Sequence, residues 1–155
     1  MGEEIEPDGL SDEEIKKILT EYKRIAVVGF SRYPRKPAHY VPKFLIRHGY
    51  DVTPVNPNAE KILGLKSYKS LEELDKEVDV VNVFRPSKDV LEVAKQALRM
   101  KVKPKVFWMQ EGIHNREAAE LLKKNGIIVV WNRCMMREHN RLFGSKPLVP
   151  LTKLK

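Results

Sequence analysis

A single cysteine, Cys134, stands in the whole chain, so no internal disulfide braces it and nothing indicates an oxidising compartment. No run approaches the roughly 18 apolar residues of a membrane span. The acidic start MGEEIEPDG also lacks the basic and apolar regions of a signal peptide. Together these absences point to a cytoplasmic protein with no membrane partner. Metal-ligand spacings are missing too: His39, His48, His114 and His139 lie in separate segments, with neither H-x-x-x-H nor C-x-x-C to make a ligand pair. There is no G-x-S-x-G elbow, no P-loop, no internal repeat and no interdomain linker.

What remains is charge and short apolar runs. The 155 residues carry a formal net charge of +8, with 42% hydrophobic and 32% charged residues, the composition of one globular domain attracted to polyanions. Lysines and glutamates are mixed, as in SDEEIKK, and no aromatics alternate with the cations, which argues against nucleic acid as a partner. Abundant Lys and Glu beside one cysteine also suits a thermophile.

Ser11 and Glu14 form an S-x-x-E capping box ahead of Ile15, Ile18 and Leu19, which predicts an opening helix. Five short runs rich in β-branched residues then read as buried strands: Ile25 to Phe30, Asp51 to Val55, Asp79 to Phe84, Lys105 to Met109 and Ile127 to Trp131. Helical patterns cover His39 to His48, Asp89 to Met100 and Arg116 to Asn125, with a short turn around Leu71 to Leu74. Strands alternating with helices imply an α/β fold. It should be a doubly wound, mostly parallel five-stranded sheet with helices on both faces.

In such a sheet, ligands sit beyond the carboxyl ends of the strands, where the strand order reverses. The loop from Gly29 to Pro37 leaves the first core strand at such an end. Its glycine allows a sharp turn, Ser31 and the following amides can donate to an anion, and Arg32, Arg35 and Lys36 crowd positive charge that an anion would relieve. A dinucleotide site would instead read G-x-G-x-x-G, with an acid ending the second strand. Here the loop reads GFSRYP and the second strand ends in Val55-Asn56-Pro57-Asn58. NAD is disfavoured, and NADP, whose extra phosphate the arginines would suit, is the runner-up ligand.

Five motifs in order resemble one family. VVGFSRYPRKP, GYDVTPVNPNAEKILGLKSYKSLEEL, DVVNVFRPSKDV, WMQEGIHN and WNRCMMREHNRL, between Ile25 and Phe143, are similar to the small CoA-binding Rossmann proteins related to the CoA-binding domain of the succinyl-CoA synthetase alpha subunit. The resemblance implies a Rossmann-like domain over 23-144, preceded by an arm and helix over 1-22 and followed by a tail over 145-155. It implies coenzyme A or an acyl-CoA as ligand. Gly29, Phe30, Ser31, Arg32 and Lys36 would surround the phosphates, and Val55, Asn56 and Pro57 would border the nucleotide. Phe84, Arg85 and Pro86 would line the adenine and pantetheine path, with Val90 adding an apolar contact.

Gln110, after the fourth core strand, is a candidate to hydrogen-bond pantetheine amides, whereas Glu111 should point away, pair with a cation or cap the next helix. Cys134 and His139 are five residues apart, a spacing that turns them to different helical faces, so no catalytic dyad is read. The chain stops where synthetase-like relatives continue into a ligase domain. The expectation is therefore a stand-alone CoA-binding protein, a carrier, sensor or protector rather than an enzyme. The alternative is an NADP- or acyl-CoA-dependent enzyme using the same crevice. KPLVPLTKLK reads as a peripheral arm, along the domain or onto a second copy, or as a poorly ordered terminus. A homo-oligomer stays open.

Overall fold

The computed structural model describes residues 4–144, so the expectation for the tail over 145-155 lies outside the described residues. In chain order the elements are α1 (Asp12–Glu21), β1 (Arg24–Val28), α2 (Pro37–Arg47), β2 (Asp51–Val55), a hairpin of β3 (Lys61–Ile62) and β4 (Leu65–Lys66), β5 (Val80–Val83), α3 (Val90–Leu98), β6 (Val106–Met109), α4 (Arg116–Lys124), β7 (Ile128–Val130) and α5 (Met135–Phe143). The five expected strands form one sheet in the order β2-β1-β5-β6-β7, and every neighbouring pair is parallel. The chain lays β2 on one side of β1 and returns to lay β5 on the other, which puts the reversal of strand order between β1 and β5.

Period-two alternation along the strands builds two cores. Ile25 and Val27 of β1 join α1, α2 and α5 on one face, through Ile15, Ile18, Leu45 and Met135. Ala26 and Val28 face α3 and α4 through Val93, Ala97 and Leu122. The capping box closes as expected: Glu14 N donates to Ser11 Oγ at 3.1 Å and Ser11 N to Glu14 Oε1 at 3.0 Å. Two elements were not expected, α5 and the β3–β4 hairpin. Among the described residues no helix is long and apolar enough to cross a membrane.

The N-terminal arm is bound across the far edge of the sheet. Arg133, after β7, donates to both carboxylate oxygens of Asp8 at 2.8 and 2.9 Å, to Leu10 O at 2.9 Å and to Glu138 Oε1 at 2.8 Å. Trp131 Nε1 donates to Glu6 O at 2.7 Å.

Candidate functional site

Gly29 ends β1 with φ +88°, and a Cβ there would lie 2.6 Å from the carbonyl oxygen of Phe84 at the end of β5. Only glycine permits both the left-handed backbone and this close approach. The next residue, Phe30, turns inward, fully buried and edge-on to the His39 ring. Its carbonyl accepts from Asn56 Nδ2 at 2.8 Å, and the Ser31 carbonyl accepts from His39 Nδ1 at 2.7 Å. Both loop carbonyls are thus held from beneath, by the residue after β2 and by the first turn of α2.

With the carbonyls held inward, the cations face out. Arg32, Arg35 and Lys36 are exposed. Arg32 and Lys36 flank the Tyr33 ring, with charged groups 5.5 and 5.4 Å from its centroid. The chain has ten arginines, and among the described residues seven pair with carboxylates: Arg24, Arg85, Arg99, Arg116, Arg133, Arg137 and Arg141. Of the three others, two are Arg32 and Arg35. The backbone contributes less than expected: Ser31 N donates to Ala38 O and Tyr33 N to Ser31 Oγ, leaving the Ser31 hydroxyl proton rather than these amides for an anion.

A crevice of about 740 Å³ opens at this point, lined by Gly29, Ser31, Arg32 and Lys36 from the first loop, Asn56 and Pro57 from the end of β2, and Phe84 and Arg85 from the end of β5. Among the described residues no carboxylate lines it. Arg85 is the lining cation that does have a partner, Asp89 Oδ2 at 3.3 Å.

Five expected site residues stand elsewhere. Phe30, Val55 and Val90 are buried among core side chains, because the inward phase of each strand end or helix start carries them there. Pro86 is exposed outside the crevice lining. Gln110 is buried, and its Oε1 accepts from Asn82 Nδ2 and Met135 N, both at 3.0 Å, so that oxygen ties β5 and β6 to α5 instead of facing a ligand. Tyr33, Ala38 and Asn58 also line the crevice, beyond the residues expected from the sequence. Tyr33 and Asn58 lie within the quoted basic loop and strand-end segment, which was the available signal.

Glu111 pairs with Arg137 at 3.0 Å, one of the roles expected of it, while Asn115 caps α4 by accepting from Ala118 N. Cys134 is buried at the start of α5. His139 packs with Phe44, His48, Tyr50 and Phe143. His48 and His139, far apart in sequence, thus become neighbours, but among the described residues no group of three or more His, Cys, Asp or Glu side chains is placed to hold a metal.

A parallel Rossmann-like sheet with a cation-lined crevice at its switch point defines an α/β domain suited to a polyanionic ligand. Residues 23–140 match the family described as CoA binding domain, and the chain belongs to that family. The Bacillus subtilis (strain 168) protein YneT, itself described as uncharacterized, is 43% identical over 129 residues, 83% of this chain and 94% of YneT. The ADP-forming acetate–CoA ligase II of Archaeoglobus fulgidus is 36% identical over 115 residues, 68% of this chain but 17% of the ligase. Among solved structures, a hypothetical protein from Pyrococcus horikoshii OT3 superposes with a TM-score of 0.85 at 47% identity, covering 92% of this chain and 100% of that one.

Proposed function

We propose that this domain binds coenzyme A or an acyl-CoA and holds it as a carrier, sensor or protector, without making or breaking the thioester. The observation that carries the reading is the exposed cation set of the first loop at the strand-order reversal, Arg32 and Lys36 in the crevice wall with Arg35 in the same loop, and no carboxylate in that wall among the described residues. Like charges crowded without counter-ions favour a bound anion, and the Ser31 hydroxyl adds a neutral donor. Membership of the CoA binding domain family supports CoA as that anion.

Calorimetric titration at fixed salt should show CoA binding much more tightly than NAD. Arg32→Ala and Lys36→Ala should each weaken CoA about tenfold, the loss expected of a charge-assisted hydrogen bond. NADP bound in preference to CoA would overturn the reading. So would variants with unchanged affinity and salt dependence.

Arg85 gives a prediction of opposite sign. Asp89 competes with a bound phosphate for its guanidinium, so Asp89→Asn should tighten CoA binding about two- to threefold, the scale of an exposed ion pair. A weaker affinity would mean that Asp89 orients Arg85 instead.

The absence of thioester chemistry is supported by the surroundings of the obvious nucleophile: Cys134 is buried, and His139 is enclosed by aromatic rings. Incubation with acetyl-CoA should give stoichiometric binding without release of free thiol. Turnover that disappears in Cys134→Ser would make Cys134 a nucleophile and overturn the assignment.

A further inference from the structure

The geometry points to a second anion subsite on the β3–β4 hairpin, which receives the ribose 3′-phosphate of CoA while the first loop holds the diphosphate. This inference rests on the CoA reading above and divides that ligand between two sets of cations. The crevice does not end at β2. Pro57 and Asn58 are shared with an adjoining hollow of about 410 Å³, whose wall includes Lys66, Ser67 and Lys69.

The hairpin is an odd construction unless something binds there. Lys61 and Lys66 are direct cross-strand partners, and like charges facing each other across an antiparallel pair destabilise it. Its turn, Leu63-Gly64, has φ +52° and +77°, a positive pair that a leucine adopts only under strain. Among the described residues, Lys61, Lys66 and Lys69 pair with no carboxylate, and Lys66 instead lies over the Tyr68 ring at 4.8 Å. One acid, Glu60, shares the hollow and leaves the lysines in excess.

The backbone that carries Lys66 and Lys69 is anchored to the end of β2. Ser67 N donates to Glu60 O and Ser67 Oγ to Asn56 O, while Asn56 N donates to Tyr68 O and Tyr68 N to Pro54 O in β2. In doubly wound folds the ribose lies at the end of the second strand and its extra phosphate is met by a cation nearby. A 5′-diphosphate and a 3′-phosphate leave the ribose in different directions, so a ribose over Pro57 and Asn58 needs a cation set on each side. Arg32 and Lys36 stand on one side, Lys66 and Lys69 on the other.

The test pairs two ligands with two sets of variants in calorimetric titrations at one salt concentration. Wild type should prefer CoA over dephospho-CoA about tenfold or more, as a charge-assisted contact would give. The double variant Lys66→Gln, Lys69→Gln should lose that preference, while its affinity for dephospho-CoA, which also reports an intact fold, stays within about twofold of wild type. Arg32→Ala should weaken both ligands alike and keep the preference. A preference that survives in the lysine variant, or none in wild type, overturns the subsite and leaves CoA binding standing. Failure of both ligands to bind wild type overturns the CoA reading itself.

Discussion

Replacing Gly29 by alanine should lower the unfolding midpoint by roughly 6–12 °C, corresponding to about 3 kcal/mol in a domain of this size. Two effects add. An L-residue at φ +88° is strained, and its Cβ would stand 2.6 Å from the Phe84 carbonyl oxygen, a backbone atom that cannot move without parting β1 from β5. Gly49 supplies the control, since its φ is +90° but nothing lies within 4 Å of its Cβ position. Gly49→Ala should cost only the strain, roughly 1 kcal/mol. The difference measures how tightly the strand ends at the crevice are packed, and equal losses would show that they part freely. CoA binding by Gly29→Ala should fall with the displaced loop.

Arg133→Ala should be at least as damaging, about 3–5 kcal/mol, because it leaves the buried Asp8 carboxylate without its counter-ion, while Glu138 keeps Arg141 at 2.7 Å. The Asp8 side chain is fully buried and that of Glu138 is 11% exposed. Burial pushes the Asp8 carboxyl up, and the hydrogen bonds from Arg133 and nearby amides more than reverse it. For Glu138 burial is likewise outweighed, by Arg141 and Arg133.

Both carboxyls therefore titrate below their ordinary values. Their contribution to stability is complete above the unfolded values, near pH 4, and is lost as pH falls through the lowered folded ones. Wild type should lose stability steeply across that acid window, and Arg133→Ala should show a shallower slope. Chemical denaturation as a function of pH reads both. An Asp8→Ala, Arg133→Ala double variant that loses the sum of the two single losses would mean the pair is uncoupled.

The strands were legible because each is a short apolar run, most of them rich in β-branched residues, and the parallel sheet buries its central strands on both faces, so pattern and environment agree. Helix α1 was legible for a different reason, the reciprocal bonds of Ser11 and Glu14. Helix α5 was not, because its inward positions 135, 138, 139 and 142 carry Met, Glu, His and Leu. The helical period is present, but two of its four inner residues are polar, and their burial depends on partners outside the helix, Arg133 for Glu138 and Phe44, His48 and Tyr50 for His139. The hairpin leaves little signal in the sequence because each strand has two residues and its turn is Leu-Gly rather than Asn-Gly.

At the site, charge and glycine could be read from the first loop, whereas side-chain direction could not. Phe30 follows Gly29 in a segment that looks continuous with the basic loop, yet the turn rotates it into the core. Gln110 looked free because both its partners, Asn82 and Met135, belong to other segments.

The contact between Asp8 and Arg133 joins residues 125 positions apart, and that separation bears on kinetics. Closing so long a loop carries an entropic cost that favours contacts formed earlier within the sheet. The arm should therefore dock after the rate-limiting step, on a β7–α5 surface that is already assembled. A contact absent from the transition state slows unfolding and leaves the folding rate nearly unchanged. The segment from Glu6 to Leu10 would then set how long each molecule survives between openings rather than how fast it forms.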